Sequence, residues 1–334
     1  MKKFFAVMLS IMLTLSLFSV ACDKPAGEKD TLTFYAPDGA PALAIAEFIE
    51  DDEDFGIDAD ITYSVVASSD IGPTMAQGKG DFIVMPVNAA SKLYKANKND
   101  PYIMAGVVTH GNLYIMSSDN TTSLDGLLGK VVGVIGQGLV PDLTLKAILS
   151  DNNLLDKVVV GDTATEGKIT LRYFAQAPEM MPLLKQGVIS VGLLPEPAAT
   201  NLTKVAPNRE WTRLDIQELY DGEQKSYPQA VLMVKKSVYD KYKTQIDGMK
   251  TYFDSSAAWA KENPEDAVDA VNERLAQGVT PSLVAANITP AVIENCKIYY
   301  ENASVSKTAV KNYINKIIAI APQSAANISD DFFA

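Results

Sequence analysis

Residues 70–90 read DIGPTMAQGKGDFIVMPVNAA, and residues 179–199, 109 positions further on, read EMMPLLKQGVISVGLLPEPAA. Laid together without gaps, Asp70 faces Glu179, Pro73 faces Pro182 and Gln77-Gly78 faces Gln186-Gly187. Pro86 then faces Pro195, and Ala89-Ala90 faces Ala198-Ala199. Chance is a poor account of this, because the shared residues are turn formers and small residues at matching points of one helix–strand–helix unit. In each copy a short helix (71–77, 179–186) precedes a continuous apolar run (82–86, 188–194) of the kind that forms a buried strand. A second helix follows (89–95, 198–202).

The repeat extends upstream. A strand over 31–35, a helix over 41–50 with Pro41 in its first turn and a strand over 61–66 precede the first copy. A strand over 131–135, a helix over 142–151 and a strand over 170–174 precede the second. Asp38-Gly39-Ala40-Pro41 after the first strand echoes Gln137-Gly138-Leu139-Val140-Pro141 in the second series. Strands spaced by helices imply sheets that are mainly parallel, with helices on both faces. The expected fold is therefore α/β: a two-lobed clamshell, each lobe a mainly parallel sheet flanked by helices, with two hinge crossings. The first lobe takes 31–116, the second 117–225, and 226–334 returns to the first with a strand over 230–234. Helical spacing of apolar residues predicts helices over 250–263, 266–276, 281–287, 290–300 and 306–319.

The beginning of the chain carries a separate signal. Lys2 and Lys3 precede an apolar run over 4–18, and Ser19-Val20-Ala21 leads to Cys22. A bilayer span needs about 20 apolar residues, so this run reads as an export signal over 1–21. A cysteine behind a small residue at that point resembles the lipobox of bacterial lipoproteins, in which Cys22 would carry the lipid, although Ser19 stands where leucine is usual. An ordinary cleaved signal is the other reading. Residues 22–30 are polar and suit a tether. From residue 31 on no apolar stretch reaches membrane length, so the expected location is extracytoplasmic, with the lipid as the only membrane anchor. Cys296 is the one other cysteine and falls in an apolar helical pattern, as a core residue.

Composition excludes several functions. Against 41 acidic residues stand 29 lysines and arginines, a net charge of −12, and the arginines are only Arg172, Arg209, Arg213 and Arg274. Nucleic acid needs clustered positive charge, so none is expected as a partner. One histidine rules out a His-rich zinc site, and neither a G-x-S-x-G elbow nor a Walker A loop is present. No metal and no cofactor is expected.

Three stretches carry a family resemblance: GDFIVMPVNAA at 80–90, LDGLLGKVVGVIGQGLVPDLTLKAIL at 124–149 and LKQGVISVGLLPEPAAT at 184–200. Together they resemble the type II periplasmic binding fold. Within it they are most similar to solute-binding proteins of the nitrate/sulfonate/taurine and thiamine-pyrimidine-precursor group. Ser190 replaces an aspartate common in that group, while the Glu196-Pro197 element is intact. The resemblance implies a monomeric lipoprotein that binds a small solute by hinge closure and docks on an ABC permease.

In a clamshell, strand-to-helix loops at the carboxyl ends of both sheets meet the ligand. In the first lobe these supply Asp38, Gly39, Ala40 and Pro41, then Ser68 and Ser69, then Asn88. In the second they supply Gly136, Gln137 and Gly138, then Gln176, then Glu196. Gly39 and Gly138 either admit a ligand to the backbone or merely turn the chain. Glu196 and Asn88 either cap helices or bind, and Ser68 and Ser69 share that ambiguity. His110 lies on a crossover segment over 103–116, and Tyr35 and Tyr227 flank it as stacking candidates or core residues. No arginine falls clearly in a pocket loop, which favours a neutral or amine-bearing solute, such as a flat heterocycle related to thiamine precursors, over a strong anion. Two other classes share the scaffold: an exported enzyme using the histidine, and a ligand sensor without a permease.

Overall fold

The computed structural model describes residues 29–220 and 226–334. The leader, Cys22 and the tether up to residue 28 lie outside the described residues. Asp30, placed in the tether from sequence, already opens the first strand. The first lobe begins with β1 (Asp30–Pro37), α1 (Ala40–Leu43), α2 (Ala46–Glu50), β2 (Ala59–Val66), α3 (Ile71–Ala76), β3 (Phe82–Pro86), α4 (Val87–Leu93) and β4 (Tyr102–His110). The second comprises β5 (Leu113–Ser117), β6 (Lys130–Ile135), α5 (Val140–Asp151), β7 (Val158–Val160), β8 (Ile169–Phe174), α6 (Ala177–Gln186), β9 (Val191–Pro195), α7 (Ala198–Val205) and β10 (Thr212–Asp215). The chain returns through β11 (Pro228–Lys235), α8 (Lys236–Lys241), α9 (Lys243–Asp247), α10 (Met249–Glu262), α11 (Pro264–Glu273), α12 (Pro290–Asn295), β12 (Ile298–Asn302) and α13 (Ala303–Ile320).

Two six-stranded sheets result, in the orders β12-β4-β11-β3-β1-β2 and β10-β5-β9-β6-β8-β7. The internal repeat is visible in them. β3-β1-β2 and β9-β6-β8 have the same order and the same parallel pairing. β3 and β9 start at Phe82 and Val191, which are 109 positions apart, and each ends on its repeated proline. Gly78 and Gly187, which follow α3 and α6, take left-handed φ values of 67° and 76°, the backbone that glycine adopts without a Cβ clash. Both sheets are mixed, however. β11 runs antiparallel to β3 and β4, and β5 antiparallel to β9 and β10, because strands that leave or re-enter a lobe reverse direction there.

Several boundaries differ from expectation. β5 pairs inside the second sheet, so the first crossing is Gly111–Asn112, ahead of the expected division at 116/117. The second crossing lies between Asp215 and Pro228. The predicted helix over 281–287 is only the single turn Ala285–Asn287. The predicted helix over 290–300 stops at Asn295: Lys297 takes a φ of 52°, and the next five residues pair with the free edge of β4 as β12. The expected helix over 41–50 is broken into α1 and α2.

Burial fixes how the lobes sit. One face of the first sheet packs on α2, α10 and α11 around Phe34, whose ring lies 5.5 Å from both Tyr63 and Phe82. A small cluster of Tyr114, Met180, Leu184 and Leu202 fills the α6–α7 side of the second. A second large apolar body belongs to both lobes. It joins Met104, Val107 and Val231 to Val134, Val140 and Leu143, with α13 laid over the junction against α4, β4 and α5. Thr144 and Tyr313 hydroxyls lie 2.8 Å apart inside it, and Lys316 pairs with Asp151 at 2.6 Å. At α7 the lobes also meet through polar groups. Asn287 Nδ2 donates to Asn201 Oδ1 at 2.7 Å, and Lys204 Nζ donates to the Asn287 carbonyl at 2.9 Å. Among the described residues, no helix is long and apolar enough to cross a membrane.

Candidate functional site

β4 points the same way as β1, β2 and β3, since β11 is antiparallel to both β3 and β4. Asp38, Ser68, Asn88 and His110 therefore sit at one edge of the first sheet. β6, β8 and β9 bring Gly136, Gln176 and Glu196 to the corresponding edge of the second, where β5 begins. Gly111–Asn112 joins the two edges, the arrangement that creates a ligand crevice in α/β proteins.

The centre of this junction is a satisfied ion pair. The Glu196 side chain is fully buried, and its Oε1 lies 2.6 Å from Nη1 of Arg213, which is 30% exposed. The same carboxylate accepts from the Thr200 amide at 3.1 Å and the Thr200 hydroxyl at 2.8 Å, so it also caps α7. The Arg213 guanidinium lies 3.5 Å from the centroid of the Tyr114 ring, and Tyr114 Oη donates to the Asn295 carbonyl of the first lobe at 3.5 Å. The Glu196–Pro197 peptide is cis, and the Glu196 amide and carbonyl bond the backbone and side chain of Asn112. Sequence reasoning missed Arg213, and the view that no arginine clearly reaches the pocket is corrected by this contact. Arg172 pairs with the exposed Asp162.

His110 is buried beside it. Its ring stacks on Tyr299 at 3.6 Å, and Nε2 lies 3.1 Å from Glu301 Oε2. Burial holds the imidazole below its ordinary range despite Glu301, while the hydrogen bond from His110 holds the Glu301 carboxyl low. Both directions fit one state, a neutral imidazole donating Nε2–H to the carboxylate with Nδ1 as a bare acceptor. The consequence is testable because the chain has one histidine. Unfolded histidine takes up a proton near pH 6.5, and the folded ring does so only at lower pH. Below about 6.5 the unfolded state then binds more protons, so stability falls as pH drops. Denaturant unfolding at pH 7.5 and 5.5 should show that loss in the native chain and a flatter profile in His110→Gln. Equal profiles would contradict the assignment.

Asp38 ends β1. Its Oδ2 accepts from the Ser282 amide at 2.7 Å, and burial raises its carboxyl above the usual range. Gly39 (φ 107°) turns the chain into Ala40 and Pro41 of α1, which rests on β4 and β12, the His110 side of the sheet. In the second lobe Gly136 and Gly138 are left-handed, and the Gly138 amide is held by Asp142 at 2.8 Å.

Other candidates are packed in the interior or lie on the exposed rim. Asn88 is buried under the end of the chain, with Nδ2 donating to the Ser324 carbonyl at 3.1 Å. Tyr227 is 1% exposed and stacks on Tyr313, so its ring belongs to the shared core. Tyr35 packs within the first lobe, against the shared core. Ser68, Ser69, Gln137 and Gln176 are exposed rim residues, and Ser69 Oγ turns to Asp70. Cys296 is fully buried beside Glu196, and that burial pushes its thiol up, away from reactivity. Among the described residues, no group of three or more His, Cys, Asp or Glu is placed to hold a metal ion.

No protein-family model and no curated protein matches the sequence. Solved structures do share the fold. A crystal structure of an ABC transporter from Parabacteroides distasonis aligns over 91% of this chain and 98% of its own, with TM-score 0.70 and 21% identity. The periplasmic aliphatic sulphonate binding protein SsuA from Escherichia coli aligns over 87% and 94%, with TM-score 0.61 and 12% identity. The ligand binding component of an ABC-type import system from Staphylococcus aureus, with zinc bound, aligns over 92% and 97%, with TM-score 0.60 and 11% identity. At these identities the likeness establishes the two-lobed periplasmic-binding architecture.

Proposed function

We propose that this chain is an extracytoplasmic solute-binding lipoprotein that takes up a small organic solute between its lobes and delivers it to the permease of an ABC importer. The observation supporting this most is that two similar α/β sheets turn their carboxyl-end loops toward one another across paired crossings. The fold shared with ABC-type import components supports the transport side. Cys22 would hold the body at the membrane, and the protein would act as a monomer without a cofactor. Residues 31–110 with 226–334, and 113–220, are the proposed moving units, the first crossing lying at Gly111–Asn112.

The contacts between lobes suggest how it opens. The α13 side is an apolar seal and acts as the pivot, while the α7 side, joined by hydrogen bonds among Asn201, Lys204 and Asn287, acts as the mouth. Solute bridging the lobes would then shift an existing open–closed equilibrium. Val205 and Val284, 37% and 49% exposed, flank the mouth and accept spectroscopic labels. Adding pyrimidines, flavins, amines, sulfonates, nitrate and amino acids in turn should find a compound that shortens and narrows their separation. A separation that no compound alters would count against the reading. The orientation of His110 by Glu301, with Nδ1 bare, favours a second reading as an exported enzyme with a histidine base; turnover of the bound compound would select it.

A further inference from the structure

Polar atoms shut from water are nearly always paired, and an unpaired one is costly. Three such atoms, Asn112 Oδ1, His110 Nδ1 and Asp38 Oδ1, border the junction and have no partner within the chain. All three are acceptors. The amide of Asn112, 1% exposed, is oriented by its own Nδ2, which donates to the Glu196 carbonyl at 3.3 Å. His110, 3% exposed, presents a lone pair because its other nitrogen donates to Glu301. Asp38 gives one oxygen to Ser282 and leaves the other bare.

Most of the cationic donors nearby are already engaged. Arg213 is paired with Glu196, and Lys204 Nζ closes on the Asn287 carbonyl. Lys297 lies with Glu294 on an outer groove and helps keep that carboxyl low. Arg172, Arg209 and Arg274 bond Asp162, the Lys185 carbonyl and Asp52. An oxyanion needs donors, and these three unpaired atoms are acceptors.

We propose that the solute is a nitrogen compound, an amine, amidine or amino-substituted ring, whose N–H groups are received by Asn112, His110 and Asp38. The assignment rests on the solute-binding reading and narrows it to one chemical class. Binding would supply the missing partners at once, and a cationic N–H beside Asp38 would favour its ionised form.

The test uses the full-length chain and two probe sets: agmatine, putrescine and cytosine on one side, nitrate, methanesulfonate and phosphate on the other. A nitrogen probe is expected to raise the melting temperature in a concentration-dependent way while the oxyanions leave it unchanged. Asn112→Leu, which deletes the unpaired acceptor together with the donor to the Glu196 carbonyl, should weaken the responding probe at least tenfold. Asp38→Asn, which retains an acceptor for Ser282 and turns a donor toward the solute, should weaken it by a similar factor and serves if the leucine variant misfolds. Stabilisation by an oxyanion alone would overturn the class and leave the binding reading intact. Silence of both sets would also overturn the class. The Val205–Val284 separation then decides the broader reading, which survives if another compound closes the mouth and falls if none does.

Discussion

Replacing Arg213 with leucine is expected to lower unfolding stability by about 3 kcal/mol, measured by denaturant titration at neutral pH. Removing one member of a buried pair costs roughly 3–5 kcal/mol because the remaining charge is left in a poorly solvating site. Glu196 meets that condition, since its side chain is fully buried. The lower end is expected because both Thr200 donors remain and Arg213 is itself partly exposed. Leucine preserves much of the contact with the Tyr114 ring, so the loss reports mainly on charge. The double variant Glu196→Gln/Arg213→Leu should recover most of the stability, as a neutral amide still accepts from Thr200 and needs no counter-ion. A loss below about 1 kcal/mol in the single variant, or no recovery in the double, would show that the pair does not hold the junction together. Because Arg213 lies on β10 and Glu196 ends β9, the pair clamps the two strands that flank β5 where the chain enters the second lobe.

How far the sequence could be read follows from where information is local. The α/β alternation and the repeated β3-β1-β2 order were legible because Pro73, Gln77-Gly78 and Pro86 recur at one offset and act through local backbone geometry. β12 was not legible. Val292, Ile293 and Cys296 continue a helical spacing, and only the unpaired edge of β4, nearly two hundred positions away in sequence, draws Ile298–Asn302 into a strand. Arg213 escaped for the same reason, since nothing beside it in sequence announces Glu196. Asn88 misled because its place in the repeat neighbours that of Glu196, yet the chain end around Ser324 covers that slot in the first lobe alone. The histidine and the glycine turns were singled out from residue type, and they lie at the carboxyl ends of β4, β1 and β6. Their partners, Glu301 and Asp142, are properties of packing.

Asp142→Leu is expected to cost about 3–4 kcal/mol and to loosen the Gly136–Gly138 turn more than the rest of the protein. One buried carboxylate collects donors from three directions: the Gly138 amide at 2.8 Å, the Tyr173 hydroxyl at 2.7 Å and the Lys146 ammonium at 2.9 Å. It also lies in the first turn of α5, where negative charge faces the unpaired amides of the helix start. Hydrogen bonds to a charged group contribute roughly 1.5–3 kcal/mol each. They do not add fully, and Lys146 can turn back to solvent, which holds the total below their sum. Asp142→Asn keeps an acceptor of the same shape and should lose about half as much. Global unfolding alone would not separate this from ordinary core damage, so amide exchange at Gly138 is the sharper measurement. It should accelerate at least tenfold more than amides of β6, the strand that leads into the turn. Uniform acceleration would make Asp142 a general core residue, whereas a local effect would make it the group that sets the second lobe's ligand-facing turn.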